Sequence, residues 1–299
     1  MSRFTQLEFA SALSRARRWL TLKPLRKRWS ERRKVEAALR ELARFPKNPN
    51  APRHLLPQEL IVSLTSYPAR FATLHLTIKS LLDQSVRPDR IILWVGHGSL
   101  AKVHAAVRDL EGDRFQVRAC EDVRSFTKII PALLAYPAAF IVIADDDVYY
   151  PESWLQDLVE AYDQGDPAIV YHRGHRIVYR PDGRLAPYRR WQRNVADGEA
   201  LRPGTQVMPT GVGGVLYPPG SLPARTTDIA LLQQLSATCD DSWLYFMWRQ
   251  AGWTAKRSAT PRGNPVEWPT TQQQSLKLFH RAGAKDQHLQ RLSEHFGTP

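Results

Sequence analysis

A chain of 299 residues, 43% of them apolar, holds enough hydrophobic material for one large α/β domain with its own core and is too apolar for disorder. Its two cysteines, Cys120 and Cys239, lie far apart and make no CxxC pair, which argues against a cysteine zinc site or a disulfide framework and fits a reducing compartment. The net charge of +13 is uneven: residues 1–53 carry 15 Lys or Arg against four Glu, so +11 of it belongs to an N-terminal arm.

Residues 1–45 read as two helices parted by Pro24, from the spacing of Leu7, Ala10 and Leu13 and then of Val35, Ala38, Leu39 and Leu42. Trp19, Leu20, Leu22, Leu25 and Trp29 interleave with Arg and Lys. That is the pattern of an amphipathic helix on an anionic membrane surface; the plainer reading packs the same face on the main domain. Nucleic acid is not the expected partner, since a charge patch alone discriminates poorly. The first residues mix charge with short apolar runs and give no secretory signal. The most apolar stretch, residues 132–144, contains Pro137 and falls short of the ~20 residues of a spanning helix. A cytoplasmic location follows, with contact at the inner face of a membrane at most.

Pro46, Pro49, Pro52 and Pro57 mark a linker, so the arm and linker take residues 1–53 and the main domain 54–299. Leu60–Leu64 is a short apolar run with β-branched members, the composition of a buried parallel strand; Ile91–Val95 and Phe140–Ala144 read as further strands, and Phe115–Arg118 as a third, short one. Helical stripes lie between them, over Leu74–Leu82, Leu100–Leu110 and Phe126–Leu134. Strands alternating with helices at this spacing predict a mostly parallel sheet flanked by helices, a Rossmann-like α/β fold. In the second half, Trp154–Tyr162 and Asp241–Ala251 read as helices, the latter ended by Gly252. Ala168–Tyr171 and His175–Tyr179 read as strands, the second followed by a hairpin turn at Pro181-Asp182-Gly183. Residues 180–210 are predicted to loop over the site, 258–275 to be irregular, and Leu289–Phe296 to be a terminal helix.

Asp145, Asp146 and Asp147 follow a buried strand directly. Three adjacent carboxylates repel one another and call for a cation or strong hydrogen bonds. In open α/β sheets ligands bind at the carboxyl ends of strands, and a hard cation such as Mg²⁺ or Mn²⁺ takes a few carboxylates together with phosphate oxygens. The competing structural reading is a helix cap before Pro151, which needs only one Asp. Asp240 and Asp241 open an apolar helix, where acids also simply suit the helix dipole.

From about residue 59 to 252 the sequence resembles the GT-A-type glycosyltransferases of the large family 2. The pieces that carry the resemblance occur in order: Ile61–Tyr67 as first strand and nucleotide-contacting turn, Leu81–Ser85 and Pro88–Ile92 as first helix and return, Lys128–Leu133 before the metal motif, Asp145–Asp147 as the DxD motif, Gly211–Pro218 as the glycine-containing segment, and Asp240-Asp241 as the acidic pair. The family often has an acidic residue after the second strand, where this chain reads Gly96-His97-Gly98-Ser99. Base recognition is therefore expected to rest on Thr65, Tyr67 and Arg70.

The resemblance implies a nucleotide-binding half over 59–150 and an acceptor half over 151–299. It implies an enzyme transferring sugar from a nucleoside-diphosphate sugar donor to a hydroxyl of a glycan or lipid-linked acceptor, with inversion, in surface polysaccharide or glycoconjugate synthesis. Asp147, with Asp145 and a late His280, would hold Mn²⁺ or Mg²⁺, while Asp145, Asp146 and Lys128 would serve the diphosphate. Gly213 and Gly214 would let the backbone approach the sugars, and Asp241, or its neighbour Asp240, would remove the acceptor proton. For Lys128 and His280 the plainer readings are an exposed helix lysine and an ordinary histidine. Trp191, Trp243, Trp248 and Trp268 are candidates for sugar stacking but fit core packing better. The alternatives are a metal-dependent phosphohydrolase or nucleotidyltransferase using the same acids, and a non-catalytic protein that binds membrane or nucleic acid through its basic arm.

Overall fold

Strand residues alternate between the two faces of a sheet, so a strand that is apolar at every position must be covered on both sides. The computed structural model, which describes residues 29–269 and 283–299, shows this for three of the four runs read from the sequence, the third in chain order being a half-buried strand at the edge of the sheet. They form β1 (Leu60–Thr65), β2 (Arg90–Gly96), β3 (Phe115–Cys120) and β4 (Phe140–Ile143). Ile61, Ile92, Ile141 and Ile143 face one core with Phe126, Trp243, Phe246 and Trp248. Leu60, Val62, Leu93 and Val142 face the other with Phe71, Leu74, Ile78 and Trp154. Each fully buried side chain of this kind contributes roughly 1.5–3 kcal/mol.

Three short strands complete the sheet: β6 (Ile169–Tyr171), β10 (Val215–Tyr217) and β11 (Ala255–Arg257). Its order is β11-β6-β10-β4-β1-β2-β3. β1 pairs in parallel with β2 and β4, whereas β10 runs antiparallel to both β4 and β6. The expected mostly parallel α/β architecture is thus present, with one strand reversed. Register decides what meets at the sheet edge. Ser63 lies opposite Ile143, and Val215 lies opposite both Ile143 and Tyr171. The segments after β1, β4 and β6 and the segment before the reversed β10 therefore emerge at one edge.

The helices are α1 (residues 29–42), α2 (Phe71–Leu82), α3 (Ala105–Arg108), α4 (Ile130–Ala135), α5 (Trp154–Glu160), α6 (Ile229–Ser236), α7 (Asp240–Gln250) and α8 (Ala284–Phe296). Smaller sheets pair β5 (Val148–Tyr149) with β12 (Val266–Glu267), and join β7 (Gly174–Arg176), β8 (Gln192–Arg193) and β9 (Val207–Pro209). Among the described residues no helix is long and apolar enough to cross a membrane.

Several expectations change. The helix expected over Leu100–Leu110 is a 3-10 turn, His97–Lys102, followed by the short α3, because Val103 is extended and His104 caps a new start. The helix expected over Phe126–Leu134 divides into a 3-10 turn, Arg124–Lys128, and α4. Pro131 lies in the first turn of α4, where a missing N–H costs least, and so marks a beginning. The second-half strand is only Gly174–Arg176, while the turn at Gly183 forms with φ of 79°. Within 258–275, Val266 and Glu267 pair with β5 instead of lying irregular.

The chain divides into two units, Met1–Arg44 and Phe45–Pro299. The proline-rich stretch expected as linker belongs to the second. The Lys47 and Asn48 N–H groups both donate to Asp83 Oδ1 at 2.7 Å, and Arg53 and His54 both engage Asp89 at 2.6 Å. In the first unit, residues 29–42 are helical, as the Val35–Leu42 spacing requires; the expectations for Trp19 and the earlier helix lie outside the described residues.

Candidate active site at the carboxyl edge of the sheet

β4 delivers the three aspartates to the edge where β1 also ends. The Asp145 N–H donates to Tyr150 Oη at 2.7 Å, and Thr77 Oγ1 donates to the carbonyls of Asp146 and Val148. Trp268 closes the turn from the other side: its N–H donates to the Asp147 carbonyl at 2.9 Å and its indole N–H to Thr77 Oγ1 at 2.8 Å. The backbone of the triplet is therefore a turn held from α2 and from the residue that follows β12.

Among the described residues, two cations answer these acids. Arg70, from the turn after β1, pairs with Asp146 and reaches Asp147 Oδ2 at 3.2 Å. Its guanidinium also lies 5.3 Å from the centroid of the Tyr67 ring. Lys128, buried at 6% exposure, lies 2.8 Å from Asp145 Oδ1 and 2.8 Å from Asp240 Oδ2. The two acidic groups, about a hundred residues apart in sequence, thus meet on one ammonium. Lys128 is held by its backbone: Ser63 Oγ donates to its carbonyl at 2.6 Å, and the Trp94 indole N–H donates to Ser63 Oγ at 2.9 Å.

Protonation follows from this arrangement. Burial pulls Lys128 down, but Asp145, Asp240 and Asp241 hold it well above its ordinary value, and it stays charged. Burial also opposes charge on Arg70, which Asp146 and Asp147 more than offset. Asp147 is pushed up to about 7, first by burial and then by Asp145, Asp146 and Glu267, against the pull of Arg70. Asp146 is raised by burial in the same way. In the second pair, burial and then Asp241 raise Asp240 despite Lys128, whereas Asp241, pushed up by burial, is drawn below the ordinary range by Lys285, Lys128, the Gly211 N–H and Arg173. Of the two, Asp240 is the one whose proton affinity is raised.

The other expected residues are placed as follows. Thr65 stands at the same edge, but its hydroxyl donates to the Trp94 carbonyl at 2.9 Å. Tyr67 is next to the acids through Arg70, and Arg70 itself, expected at a base, is the partner of the acids. Gly213 and Gly214 precede β10, and the groups they admit are protein side chains. A carbon added at Gly213 would lie 2.7 Å from Arg173, and one at Gly214, where φ is 98°, would lie 2.5 Å from the Trp154 indole. The glycine that borders the charged cluster is Gly211: an added carbon would lie 2.9 Å from Lys128 Nζ, and its N–H donates to Asp241 Oδ1 at 2.9 Å. His280 lies outside the described residues. Trp191, Trp243, Trp248 and Trp268 are buried in the core.

Sequence reasoning missed Arg173 and Lys285. Arg173 Nη1 donates to Thr210 Oγ1 at 2.8 Å, and Lys285 Nζ lies 3.6 Å from Asp241 Oδ2. Nothing in the local pattern of either announces a site. Ser63 was legible as the one polar residue inside an apolar strand. A cavity of about 360 Å³ lined by Leu133, Leu134, Pro137, Tyr217 and Pro223 opens toward the other end of β4 and contains none of the charged cluster.

Among the described residues no group of three or more His, Cys, Asp or Glu side chains is arranged as a ready-made metal cage. The donor set nevertheless suits a hard cation. Asp145 keeps 25% of its side chain exposed, and burial raises the Asp147 carboxylate, so that a cation beside it would lower its proton affinity. Mg²⁺ in particular needs only one or two carboxylates when phosphates complete its shell.

No protein-family model matches the sequence, and no curated protein matches it. Solved structures do. The inositol-1-phosphate CTP transferase from T. maritima aligns over 84% of this chain and 99% of its own, at 13% identity and a TM-score of 0.40. The 4-diphosphocytidyl-2C-methyl-D-erythritol synthase from Anaerococcus prevotii aligns over 77% and 96%, at 13% identity and a TM-score of 0.47. A CMP:2-keto-3-deoxy-manno-octonic acid synthetase complexed with CTP aligns over 75% and 99%, at 10% identity and a TM-score of 0.42. The expectation of glycosyl transfer from a nucleoside-diphosphate sugar is corrected here: these similar structures are named for cytidine-nucleotide chemistry and not for sugar transfer.

Proposed function

We propose that the chain is a nucleotidyltransferase, which holds a nucleoside triphosphate at the carboxyl edge of the sheet and passes its nucleotidyl group to an acceptor oxygen with release of pyrophosphate. The observation that carries this reading is the buried Lys128 ammonium between Asp145 and Asp240, with Arg70 beside it on Asp146 and Asp147. Fixed cations alternating with fixed carboxylates in a water-poor site suit a reaction in which polyphosphate charge must be held and moved.

Asp147 and Asp145 would hold Mg²⁺ or Mn²⁺ with the phosphates, and the ion would neutralise charge on the leaving pyrophosphate. Arg70 and Lys128 bind and orient phosphate oxygens from either side of the acids. An acceptor oxygen attacks the α-phosphorus, the bond to the β-phosphate oxygen breaks, and pyrophosphate departs. Where the acceptor is a hydroxyl of a glycan or a lipid-linked molecule, Asp240, the carboxylate with raised proton affinity, takes its proton. Tyr67 and Thr65, at the same edge as the acids, would receive the nucleoside.

Titration of the full chain with CTP, UTP, ATP and GTP, each with and without Mn²⁺, tests the reading. At least one triphosphate should bind in a metal-dependent way, and Asp147→Asn should lose that dependence while retaining the fold. Equal binding by the parent and the variant, or no triphosphate binding at all, would remove the basis of the proposal.

A further inference from the structure

Asp241 uses both of its oxygens. Oδ1 accepts the Gly211 N–H at 2.9 Å, and Oδ2 faces Lys285 Nζ at 3.6 Å. Lys285 is the second residue of α8, a helix fixed in the core by Leu289 and Leu292, and its side chain is 4% exposed. A long amine stem with a charged end is costly to bury unless a counter-charge meets it. Here the ammonium stands 4.3 Å from the centroid of the Tyr188 ring as well as beside Asp241. The next residue, Asp286, accepts the Tyr188 N–H at 2.7 Å. One dipeptide in the first turn of α8 therefore grips two separate segments, the loop at Tyr188 and the start of α7.

The contact continues toward the acids. The Gly211 N–H is held by Asp241, and the Gly211 α-carbon borders Lys128 so closely that a side chain there would meet its ammonium. The order of contacts is Lys285, Asp241, Gly211, Lys128, and then Asp145 and Asp240.

We propose that Lys285 is a positioning residue of the nucleotidyl-transfer site, an inference that rests on that reading: it fixes the Asp241 carboxylate on the Gly211 N–H and thereby holds the Gly211 turn against Lys128. α8 thus belongs to the site although its contact with the acids is indirect. The titratable and charged groups around Asp241 are Lys285 from α8, Lys128, Arg173, His175 from β7, Tyr217 from β10, and the neighbouring Asp240 and Cys239. Of these Lys285 makes the largest favourable contribution to charge on Asp241.

The test uses the full chain as wild type, Lys285→Met, Lys285→Arg and Asp241→Asn. Carbon-13 carboxyl NMR of the ligand-free protein, with the Asp241 signal assigned by its loss in Asp241→Asn, should show the Asp241 midpoint rising by a unit or more in Lys285→Met and returning in Lys285→Arg. Triphosphate binding with Mn²⁺ should stay within about twofold in Lys285→Met. Pyrophosphate release should fall at least tenfold, with its acid limb displaced upward and recovered by Lys285→Arg. An unmoved Asp241 midpoint, or wild-type turnover and pH profile in Lys285→Met, would overturn the inference. If wild type itself binds no triphosphate, the reading of the site falls, and the Asp241 titration alone then decides the Lys285 contact. Should Lys285→Met fail to fold, the paired variant Lys285→Met with Asp241→Asn removes both charges. Its folding with lost turnover supports the positioning role, and its folding with full turnover defeats it.

Discussion

Lys128→Met leaves the aliphatic stem in place and removes the one charge shared by Asp145 and Asp240. Each ion pair, at 2.8 Å, has a gross attraction of about 6 kcal/mol at an effective dielectric near 20, and desolvation offsets most of it. What the variant loses is set less by that attraction than by the two carboxylates left uncompensated, one of them on the buried Asp240. Breaking such a buried pair costs about 3–5 kcal/mol. The loss should depend on pH. Asp240 is already raised by burial, and without Lys128 its folded value climbs further above the unfolded ~3.9, so the penalty grows as pH rises from there toward the new folded value. Urea denaturation followed by tryptophan fluorescence should show Lys128→Met less stable than the parent by about 3–5 kcal/mol at pH 7.5 and by clearly less at pH 5.5. Adding Asp240→Asn should recover about half of the deficit at pH 7.5, because it removes one of the stranded charges. A deficit below about 1 kcal/mol, the same deficit at both pH values, or no recovery in the double variant would refute the view that this lysine neutralises both acidic groups.

Gly214→Ala should cost about 3 kcal/mol or more, since φ is 98° and the added carbon would lie 2.5 Å from Trp154; thermal melting at matched concentration checks it. His172 and His175 are both pushed down to about 3, chiefly by burial, so the unfolded chain binds protons that the folded chain refuses. Stability should therefore fall as pH drops from about 6.5 toward 3, by up to ~1.4 kcal/mol per pH unit for each histidine. His172→Gln should reduce that slope, whatever it does to the absolute stability; an unchanged slope between pH 6 and 4 counts against the assignment. The arm carries +11 in residues 1–53, and we propose an anionic membrane as its partner. Vesicles containing phosphatidylserine should retain the full chain more than neutral vesicles do, and the difference should vanish in about 1 M salt, where screening reaches within roughly 3 Å. Equal retention on both would end that idea.

What could be read from the sequence depended on how long each signal ran. β1, β2 and β4 announced themselves because four or five consecutive residues, all apolar except Ser63, are buried on both faces. β10 and β11, three residues each, carry too little pattern to show a period, although β10 is the reversed strand that turns the Gly211 segment toward the acids. α6 was legible and missed: the Asp228 side chain accepts the Leu231 N–H at 3.0 Å ahead of Leu231, Leu232 and Leu235. The two acidic groups could be found as strings of like charge, and Arg70 and Lys128 as candidates for base and diphosphate, but not the pairing of these cations with the acids. Arg70 lies 76 residues from Asp146, and Lys285 sits in a helix whose charges look solvated. Pairing across such separations is a property of strand order and register, which local composition does not encode.

The fate of the α-phosphate tests nucleotidyl transfer most directly. The wild-type chain would be incubated with Mn²⁺, α-³²P-labelled nucleoside triphosphates and a panel of phosphorylated and hydroxylic acceptors, and both the label and the pyrophosphate would be followed. Nucleotidyl transfer should give acceptor-dependent pyrophosphate release in equal amount to label on the acceptor, lost in Asp147→Asn and in Lys128→Met. Pyrophosphate formation that does not need these residues, or no transfer of label to any acceptor while triphosphate is bound, would contradict it.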